Sequence, residues 1–260
     1  MDFHGLIAAG GVASRLGALP CSKEIFPLAN HFNNDRIMVV CDNLIQYYKN
    51  AGITNIHFIL RKGKWDIPQL LGDGSDNEVN LSYHIMKLPF GTPFTLDQAY
   101  PFVKDKNIAM GFPDIIMRPK NAFLKIKEKL IKSKADVVLG VFPIEYYWKW
   151  DMLDFEKGKI KEIDIKSKRS ELKYGWSIAV WTPALTEFMH TFLKDVLVQS
   201  NAGKRILSDG SERELYVGDV FVEAMKAGFN FEHVMFEDGY TTDIGTHEEM
   251  TEYLRKNIGL

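Results

Sequence analysis

Short apolar runs alternate with segments of helical periodicity along the first half of the chain, and this alternation restricts the possible folds most. The apolar runs predict strands at residues 5–9, 55–60, 79–85, 107–110 and 137–142. Helical spacing between these runs predicts helices at residues 37–51, 65–71, 93–103 and 120–133. This order indicates an α/β fold, with a Rossmann-like, mixed but mainly parallel sheet flanked by helices.

The regular alternation stops after Pro143. Strands are expected at residues 160–165, 177–181 and 231–236, and helices at 184–198, 215–227 and 246–256. The polar, glycine-containing segment 201–213 carries Lys204, Arg205 and Arg213, a composition typical of a mobile lid that meets anions. We expect one domain over residues 1–260, divided into a first part at 1–143 and a second lobe with a closing helix at 144–260.

Charge and composition exclude several classes of function. The net charge is −2, from 32 Lys and Arg against 34 Asp and Glu, so no overall field attracts nucleic acid or an anionic membrane. Two cysteines are too few for a disulfide framework or a cysteine-rich zinc site. The first residues lack the basic segment of a signal peptide, and their apolar run is too short to cross a membrane. We therefore expect a cytoplasmic protein that binds neither nucleic acid nor membrane.

Small residues follow the first predicted strand, at the edge of a parallel sheet where ligands bind. Gly10 and Gly11 allow backbone N–H groups to approach a phosphate or a base. Arg15 and Lys23 add two cations to the same loop, which together could clamp a polyphosphate. On these residues alone, a tight turn with two solvated side chains is the more common explanation of such a segment, and the alternative stays open. The segment matches neither the P-loop nor the dinucleotide-binding fingerprint.

The same segment, AAGGVASRLGALPCSKEIFPL, resembles the signature of the sugar-1-phosphate nucleotidyltransferases, also called sugar-nucleotide pyrophosphorylases. That signature reads Gly-Gly-x-Gly-Thr-Arg-Leu, a spacer, and then Lys-x-Leu-x-Pro. The matching residues are Gly10, Gly11, Arg15, Leu16, Lys23 and Pro27. Ala13 and Ser14 stand where the signature has glycine and threonine. The spacer between Arg15 and Lys23 is about two residues shorter than in the signature.

Further segments resemble this family in the same order along the chain. They are LPFGTPFTLDQA with Pro89, Gly91 and Thr92, MGFPDII with Asp114, KEIDIKS with Lys166, GWSIAVWTP with Trp176, and TTDIGTHEEM with Asp243. Ile165, Ser167 and Ser177 differ from the residues usual in the family, and all three fall near the expected acceptor pocket. The resemblance implies a fold of the nucleotide-diphospho-sugar transferase type across nearly the whole chain.

The resemblance also implies an activity and a set of residues. An NMP group would pass from an NTP to a sugar phosphate or similar phosphorylated acceptor, with release of pyrophosphate and dependence on Mg²⁺. Residues 1–143 would bind the nucleotide and residues 144–260 the acceptor. The implied residues are Arg15 and Lys23 for catalysis, Ala8, Ala9, Gly10, Gly11, Pro89, Gly91 and Thr92 for the nucleotide, Lys166 and Trp176 for the acceptor, and Asp114 and Asp243 for Mg²⁺.

Other interpretations stay open at this point. Asp114 also fits an Asx turn, and Asp243 lies near the start of the last helix, although Thr246 is the better candidate for its cap. The chain could be a non-catalytic nucleotide-binding or sugar-phosphate-binding regulatory protein with the same fold. A transferase that uses a preformed nucleotide-sugar would need a metal-binding Asp-x-Asp, which the central strand ends lack. The sequence specifies neither the base nor the acceptor, and a homo-oligomer is possible.

Overall fold

The computed structural model of the chain describes residues 1–11, 16–17, 19–33, 36–166, 168–169, 171–199, 203–206 and 210–258. Within these residues, a nine-stranded mixed sheet forms the centre of the molecule. Its strands are β1 (Phe3–Ala9), β4 (Asn55–Leu60), β5 (Asn80–Ile85), β6 (Asn107–Gly111), β8 (Val137–Pro143), β9 (Met152–Glu156), β10 (Lys159–Asp164), β11 (Tyr174–Trp181) and β14 (Phe231–Met235).

The direction of the strands divides the sheet. β5, β4, β1 and β6 lie side by side and parallel, in that order. β11 pairs antiparallel with β6, and it is followed by β9 and β10 on one path and by β8 and β14 on the other. Most strands therefore point the same way, with β11 and β10 reversed, which confirms the predicted mixed and mainly parallel sheet.

Helices cover both faces of the sheet. They are α1 (Asp42–Asn50), α2 (Asp66–Leu71), α3 (Thr92–Asp97), α4 (Tyr100–Val103), α5 (Ala122–Lys132), α6 (Pro183–Gln199), α7 (Val217–Lys226) and α8 (His247–Ile258). Tyr48 of α1 and Phe123 of α5 are buried in the core on one face. Phe94 of α3, Leu193 of α6 and Phe221 of α7 are buried in the core on the other. The inner parallel strands β1, β4 and β6 are thus buried on both sides, as strands of α/β folds are, whereas the edge strand β5 is largely exposed.

Three short strand pairs lie outside the main sheet. They are β2 (Pro27–Asn33) with β3 (Arg36–Val39), β7 (Ile115–Arg118) with β15 (Tyr240–Asp243), and β12 (Arg205–Ile206) with β13 (Glu212–Arg213). None of these pairs was predicted as such, and neither was β9. The β7–β15 pair matters most for function, because it brings Asp243 beside the turn that carries Asp114.

Two predicted helices differ from the structure for local reasons. The expected helix at 37–51 begins only at Asp42, whose Oδ2 accepts a hydrogen bond from Val39 N at 2.8 Å and so holds the turn between β3 and α1. The expected helix at 93–103 divides into α3 and α4. Pro101 lacks an N–H and its ring would clash with the carbonyl of Asp97, where α3 ends. Among the residues with described structure, no helix is long and apolar enough to cross a membrane.

Candidate active site

A cleft of about 730 Å³ crosses the carboxyl ends of the parallel strands. Its wall includes Gly10 after β1, Arg61 after β4, Met86 after β5 and Phe112 after β6. The carboxyl ends of parallel strands meet at one edge of a sheet, which is where open α/β sheets bind ligands. Most residues predicted from sequence line this cleft, namely Ala8, Gly10, Gly11, Lys23, Pro89, Gly91, Thr92, Asp114, Lys166 and Trp176.

One end of the cleft, here called the glycine end, is formed by Gly10, Gly11, Arg61, Met86 and Gly91. Arg61 donates a hydrogen bond from Nε to the carbonyl of Gly10 at 3.0 Å. A Cβ on Gly10 would lie 2.6 Å from the sulfur of Met86, so the strand end and the following turn pack closely only because this residue is glycine.

Gly91 shapes the other side of the glycine end. Its φ is 119°, a conformation that side chains rarely adopt, and its Cβ would lie 2.5 Å from the carbonyl oxygen of Leu215. The carbonyl of Gly91 accepts hydrogen bonds from the backbone N and the hydroxyl of Thr95, each at 3.1 Å. The turn into α3 therefore presents backbone to the cleft. Ala9 is fully buried in the core and does not line the cleft.

Lys23 and Asp114 form an ion pair in the middle of the cleft, with Nζ 2.5 Å from Oδ2. Lys23 comes from the loop after β1, and Asp114 from the turn after β6. Burial by itself would lower the pKa of Lys23, but the charges of Asp114, Glu24 and Asp243 outweigh it and raise the pKa above its usual value. Lys23 is therefore a permanent cation in this structure.

Asp243 lies behind this pair and is absent from the cleft wall. It pairs with Ile115 across the β7–β15 ladder, and the next residue, Ile244, donates from its backbone N to the carbonyl of Asp114 at 3.0 Å. Its Oδ1 accepts a hydrogen bond from Gly245 N at 2.7 Å. The structure thus brings the two predicted metal ligands to adjacent strands, beside Lys23.

Thr246 caps the last helix. Its hydroxyl accepts from Glu249 N at 3.3 Å and donates to the Glu249 carboxylate at 2.8 Å. This arrangement belongs to a capping box, in which Thr at the cap and Glu three residues later satisfy the start of a helix. Asp243 is therefore not needed as the cap of α8.

The donor set at Asp114 and Asp243 fits Mg²⁺. Carboxylate oxygens are the ligands that Mg²⁺ prefers, and it usually takes one or two of them, with substrate phosphates and waters completing the shell. In the part of the chain that the structure describes, no three His, Cys, Asp or Glu side chains are grouped so that they could hold a metal. The two carboxylates would therefore hold Mg²⁺ together with a bound phosphate.

The opposite end of the cleft, here called the Lys166 end, is formed by Asp151, Lys166, Trp176, Lys204 and Tyr216. Lys166 has a φ of 47°, and its backbone N donates to Asp151 Oδ1 at 3.2 Å. Its Nζ donates to the carbonyl of Lys149 at 2.6 Å and lies 5.3 Å from the centre of the Tyr216 ring. Trp176, near the start of β11, packs against Phe112, with 6.1 Å between the ring centres and 40° between the ring planes.

Several predicted residues are placed differently from the expectation. Arg15 lies outside the described residues. Of the three cations expected on a lid at 201–213, Lys204 lines the cleft, whereas Arg205 pairs with Glu223 at 2.8 Å and Arg213 pairs with Asp219 at 2.6 Å. Lys204 itself pairs with Glu212 at 3.1 Å. All three cations therefore have acidic partners, two of them on α7. Residues 201–202 and 207–209 of this segment also lie outside the described part.

Sequence reasoning missed Arg61, Asp151 and Tyr216 as cleft residues. Arg61 could have been found, because it directly follows a predicted parallel strand, as Gly10 does. Asp151 and Tyr216 gave no such signal. Asp151 enters the cleft through the pairing of β9 with β11, and β9 was not predicted.

Comparisons with known proteins agree with this geometry. Residues 4–258 match the nucleotidyl transferase family. Over 117 residues, 44% of the chain, the sequence is 34% identical to a low-salt glycan biosynthesis nucleotidyltransferase from Haloferax volcanii, and it spans only 31% of that relative's length. Over 254 residues, 95% of the chain, it is 22% identical to a glucose-1-phosphate thymidylyltransferase from Neisseria meningitidis and covers 80% of it.

Solved structures show the same fold. A Bacillus anthracis protein assigned as a glucose-1-phosphate thymidylyltransferase, in complex with sucrose, has a TM-score of 0.81 at 18% identity, covering 100% of this chain and 96% of that one. The inositol-1-phosphate CTP transferase from T. maritima has a TM-score of 0.70 at 15% identity, covering 98% and 95%. These similarities confirm the fold type expected from the sequence.

Proposed function

The chain belongs to the nucleotidyl transferase family, and from this premise we propose that it transfers an NMP group from an NTP to a sugar phosphate or a similarly phosphorylated acceptor, with release of pyrophosphate. The relatives named above, which act on sugar phosphates or inositol phosphate, support this substrate class. One domain over residues 1–260 would carry the activity in the cytoplasm, with the nucleotide bound by 1–143 and the acceptor by 144–260.

The observation that carries this proposal is the position of Lys23. Its ammonium lines the cleft and pairs with Asp114, which follows β6. In the sheet, β6 and β1 lie between β4 and β5, which lead to the glycine end, and β11, β9 and β10, which lead to the Lys166 end. In nucleotidyl transfer, the attacking acceptor phosphate and the leaving pyrophosphate lie in line on opposite sides of the α-phosphorus. The negative charge of these groups has to be neutralised. A half-buried, permanently charged lysine between two binding regions meets that requirement.

The remaining residues take roles that follow from their chemistry. The turns around Gly10, Gly11 and Gly91 would hold the base and ribose against backbone groups. Lys166 would bind the phosphate of the acceptor, since its flexible ammonium suits a compact anion. Arg15 would bind the β- and γ-phosphates, a role that rests on the family resemblance.

The reaction would proceed by attack of an acceptor phosphate oxygen on the α-phosphorus of the NTP. The bond from the α-phosphorus to the bridging oxygen breaks, and pyrophosphate leaves with its electron pair. Lys23 would donate hydrogen bonds to the α-phosphate as charge builds there. Mg²⁺, held by Asp114 and Asp243 when bound, would neutralise the phosphate oxygens of the NTP.

Pyrophosphate release tests the proposal directly. The purified protein is incubated with Mg²⁺, each of the common NTPs and a panel of sugar and cyclitol phosphates. The expected result is pyrophosphate release that requires both an NTP and an acceptor and stops when Mg²⁺ is chelated. Binding of nucleotide and acceptor without any pyrophosphate would overturn the proposal and favour a non-catalytic binding protein.

A further inference from the structure

β5 forms one edge of the nine-stranded sheet, and among the described strands it pairs with β4 alone. Asn80 N donates to the carbonyl of Thr54 at 2.7 Å, and Met86 N donates to the carbonyl of Leu60 at 2.8 Å. The even-numbered residues of β5 therefore bond to β4. Because backbone groups alternate along a strand, the N–H and C=O groups of the odd-numbered residues point away from β4.

The two ends of this outward side are already occupied. Leu81 N donates to a carbonyl of the preceding turn at 2.8 Å, and Lys87 N, just after the strand, donates to the side chain of Gln98 at 3.2 Å. Between them, the backbone groups of Tyr83 and Ile85 have no hydrogen-bond partner within the described residues. A strand edge with unpaired N–H and C=O groups is a template for pairing with another chain.

β10, at the opposite end of the same path through the sheet, shows how an edge is protected from such pairing. Four of its six residues are charged, namely Lys159, Lys161, Glu162 and Asp164. Its pairing with β9 is also irregular between Ile160 and Glu162. Charges and bulges both oppose the addition of a further strand. β5 carries no Lys, Arg, Asp, Glu or Pro, and its pairing with β4 is regular.

Apolar side chains are exposed on both faces of the sheet beside this edge. On one face, Tyr83 packs against Phe58, with 5.8 Å between the ring centres, and Ile85 follows it with 44% of its surface exposed. On the other face, Phe102 packs against His84 at 4.6 Å and is 58% exposed. Pairing of β5 with a further strand would cover these side chains.

We infer that two copies of this chain pair antiparallel through β5 and form a symmetric dimer with one continuous sheet. The two-fold axis passes beside His84. Tyr83 of each copy then exchanges N–H···O hydrogen bonds with Ile85 of the other, and their side chains form an aromatic and β-branched cross-strand pair. Any other register of the outward groups would require Leu81 N or Lys87 N, which are already bonded.

The charges at the two ends of β5 favour a second copy and this direction. Asp73, whose carbonyl accepts from Leu81 N, precedes the strand, and Lys87 follows it. Both side chains are exposed, and neither forms an ion pair within the described residues. Antiparallel pairing places Lys87 of one copy opposite Leu81 of the other, and hence beside the other Asp73. An edge that carries both halves of its own ion pair is self-complementary, as a two-fold interface requires.

Neither the axis nor the cleft opposes this assembly. The two His84 rings would lie side by side at the axis, and burial lowers the pKa of His84, so both are uncharged at neutral pH. No residue of β5 lines the cleft. The dimer therefore does not depend on the proposed function, and the experiments below use neither NTP nor acceptor.

Cysteine cross-linking of the full chain tests the register. In the inferred dimer, the Cα atoms of the two residues 84 are about 4.5 Å apart, whereas those of the two residues 82 are about 14 Å apart. His84→Cys and Ser82→Cys, its matched control on the same strand, are each made with Cys21→Ser, since Cys41 is buried. Mild oxidation with diamide should cross-link His84→Cys into a dimer at least tenfold faster than Ser82→Cys. Equal rates, or no cross-linking of His84→Cys, would overturn the inference.

Sedimentation velocity over a series of protein concentrations tests the interface without cysteines. The wild type should convert from monomer to dimer as its concentration rises. Ile85→Lys should weaken dimerisation by tenfold or more, because it places a charge at the edge. Ile131→Lys is the matched control, since Ile131 is 45% exposed but lies on α5, and it should dimerise as the wild type does. A wild type that stays monomeric overturns the inference and leaves the edge to a strand of a different protein. A dimer that Ile85→Lys leaves intact overturns it too, because another surface then holds the copies together.

A charge exchange tests the direction of pairing. Lys87→Glu should weaken dimerisation, because two acidic groups then meet at each end of the paired strands. Adding Asp73→Lys to Lys87→Glu restores opposite charges, so the double variant should dimerise more tightly than Lys87→Glu alone. A double variant that is no tighter than Lys87→Glu would overturn the antiparallel arrangement.

Discussion

Lys23 Nζ and Asp114 Oδ2 are 2.5 Å apart, although 91 residues separate them along the chain. The contact joins the loop after β1 to the turn after β6, and these strands are neighbours in the sheet. It holds the Lys23 ammonium at the wall of the cleft, which Asp114 also lines. It also couples the proposed catalytic cation to a proposed metal ligand, so changes at the two residues are expected to have distinguishable effects.

Lys23→Ala should lower kcat by about 10²–10³ while changing the affinity for NTP much less, because Lys23 acts on charge that builds in the transition state. The measurements are steady-state pyrophosphate release and NTP binding by calorimetry. Lys62→Ala is the matched control, since Lys62 is exposed and absent from the cleft wall. A near wild-type kcat for Lys23→Ala would remove Lys23 from the chemistry.

Asp243→Asn should raise the Mg²⁺ concentration needed for half-maximal activity by roughly tenfold or more, because the amide keeps the shape but loses the charge that holds the metal. Asp114→Asn should do the same and also lower kcat at saturating Mg²⁺, since Lys23 loses its partner. A Mg²⁺ titration of activity measures both effects. Asp238→Asn, in the exposed turn before β15, is the control. Unchanged Mg²⁺ dependence of both variants would exclude the two-carboxylate site.

Gly91→Ala should reduce stability and NTP affinity together. Two effects add: the positive φ costs about 1–3 kcal/mol for a residue with a side chain, and the new methyl would lie 2.5 Å from the carbonyl of Leu215. Gly63→Ala isolates the first effect, since Gly63 has a φ of 101° with no atom within 4 Å of its Cβ position. Urea unfolding should show a larger loss for Gly91→Ala than for Gly63→Ala. Equal losses would mean that the backbone at Leu215, just before α7, moves without cost to make room for the new methyl group.

The free energy of unfolding should fall as the pH decreases from about 6.5 toward 4. The cause is a row of three histidines, His4, His57 and His84, on adjacent strands. His57 Nε2 lies 2.9 Å from His4 Nδ1, and His57 Nδ1 lies 2.9 Å from His84 Nε2. Burial, with the charges of His84 and His4, lowers the pKa of His57 from 6.5 to about 4. Between pH 6.5 and 4, His57 therefore binds a proton in the unfolded chain but not in the folded one. This difference removes up to roughly 3 kcal/mol from the free energy of unfolding.

Urea unfolding at pH 7.5 and pH 4.5 measures this loss. The difference in stability between the two pH values should shrink in His57→Gln and stay unchanged in His247→Gln, because His247 is exposed at the start of α8. An equal pH dependence in wild type and His57→Gln would show that carboxylates elsewhere account for it.

The parallel half of the molecule could largely be predicted from the sequence because three of its four strands, β1, β4 and β6, are buried on both faces. Continuous apolar runs such as β4 and β6 carry a strong signal, and the residues that follow them fall at the ligand-binding edge. The sequence alone therefore predicted that Gly10, Lys23 and Asp114 lie at this edge of the sheet. The β7–β15 pair was not visible, because each strand has only four residues and its partner lies more than a hundred positions away.

The Lys166 end was harder to predict. Its residues come from strands that pair antiparallel at the border of the sheet, where half-exposed positions weaken the pattern. β10 shows this, since most of its residues are at least partly exposed. Asp151 lines the cleft only because β9 pairs with β11. That property belongs to three-dimensional contacts and leaves no periodicity in the sequence.

β11 has a consequence for how such a protein changes over evolutionary time. Among the described strands, it alone links the four parallel strands to β8, β9 and β10, and it runs antiparallel to its neighbour β6. Under the proposed function, the residues that bind the acceptor lie at the ends of β9, β10 and β11. The residues that bind the nucleotide lie at the ends of the parallel strands. Mutations around residues 150–176 can thus alter one substrate while the other is recognised as before. For directed evolution, the same boundary marks a compact segment to randomise when a new acceptor is wanted.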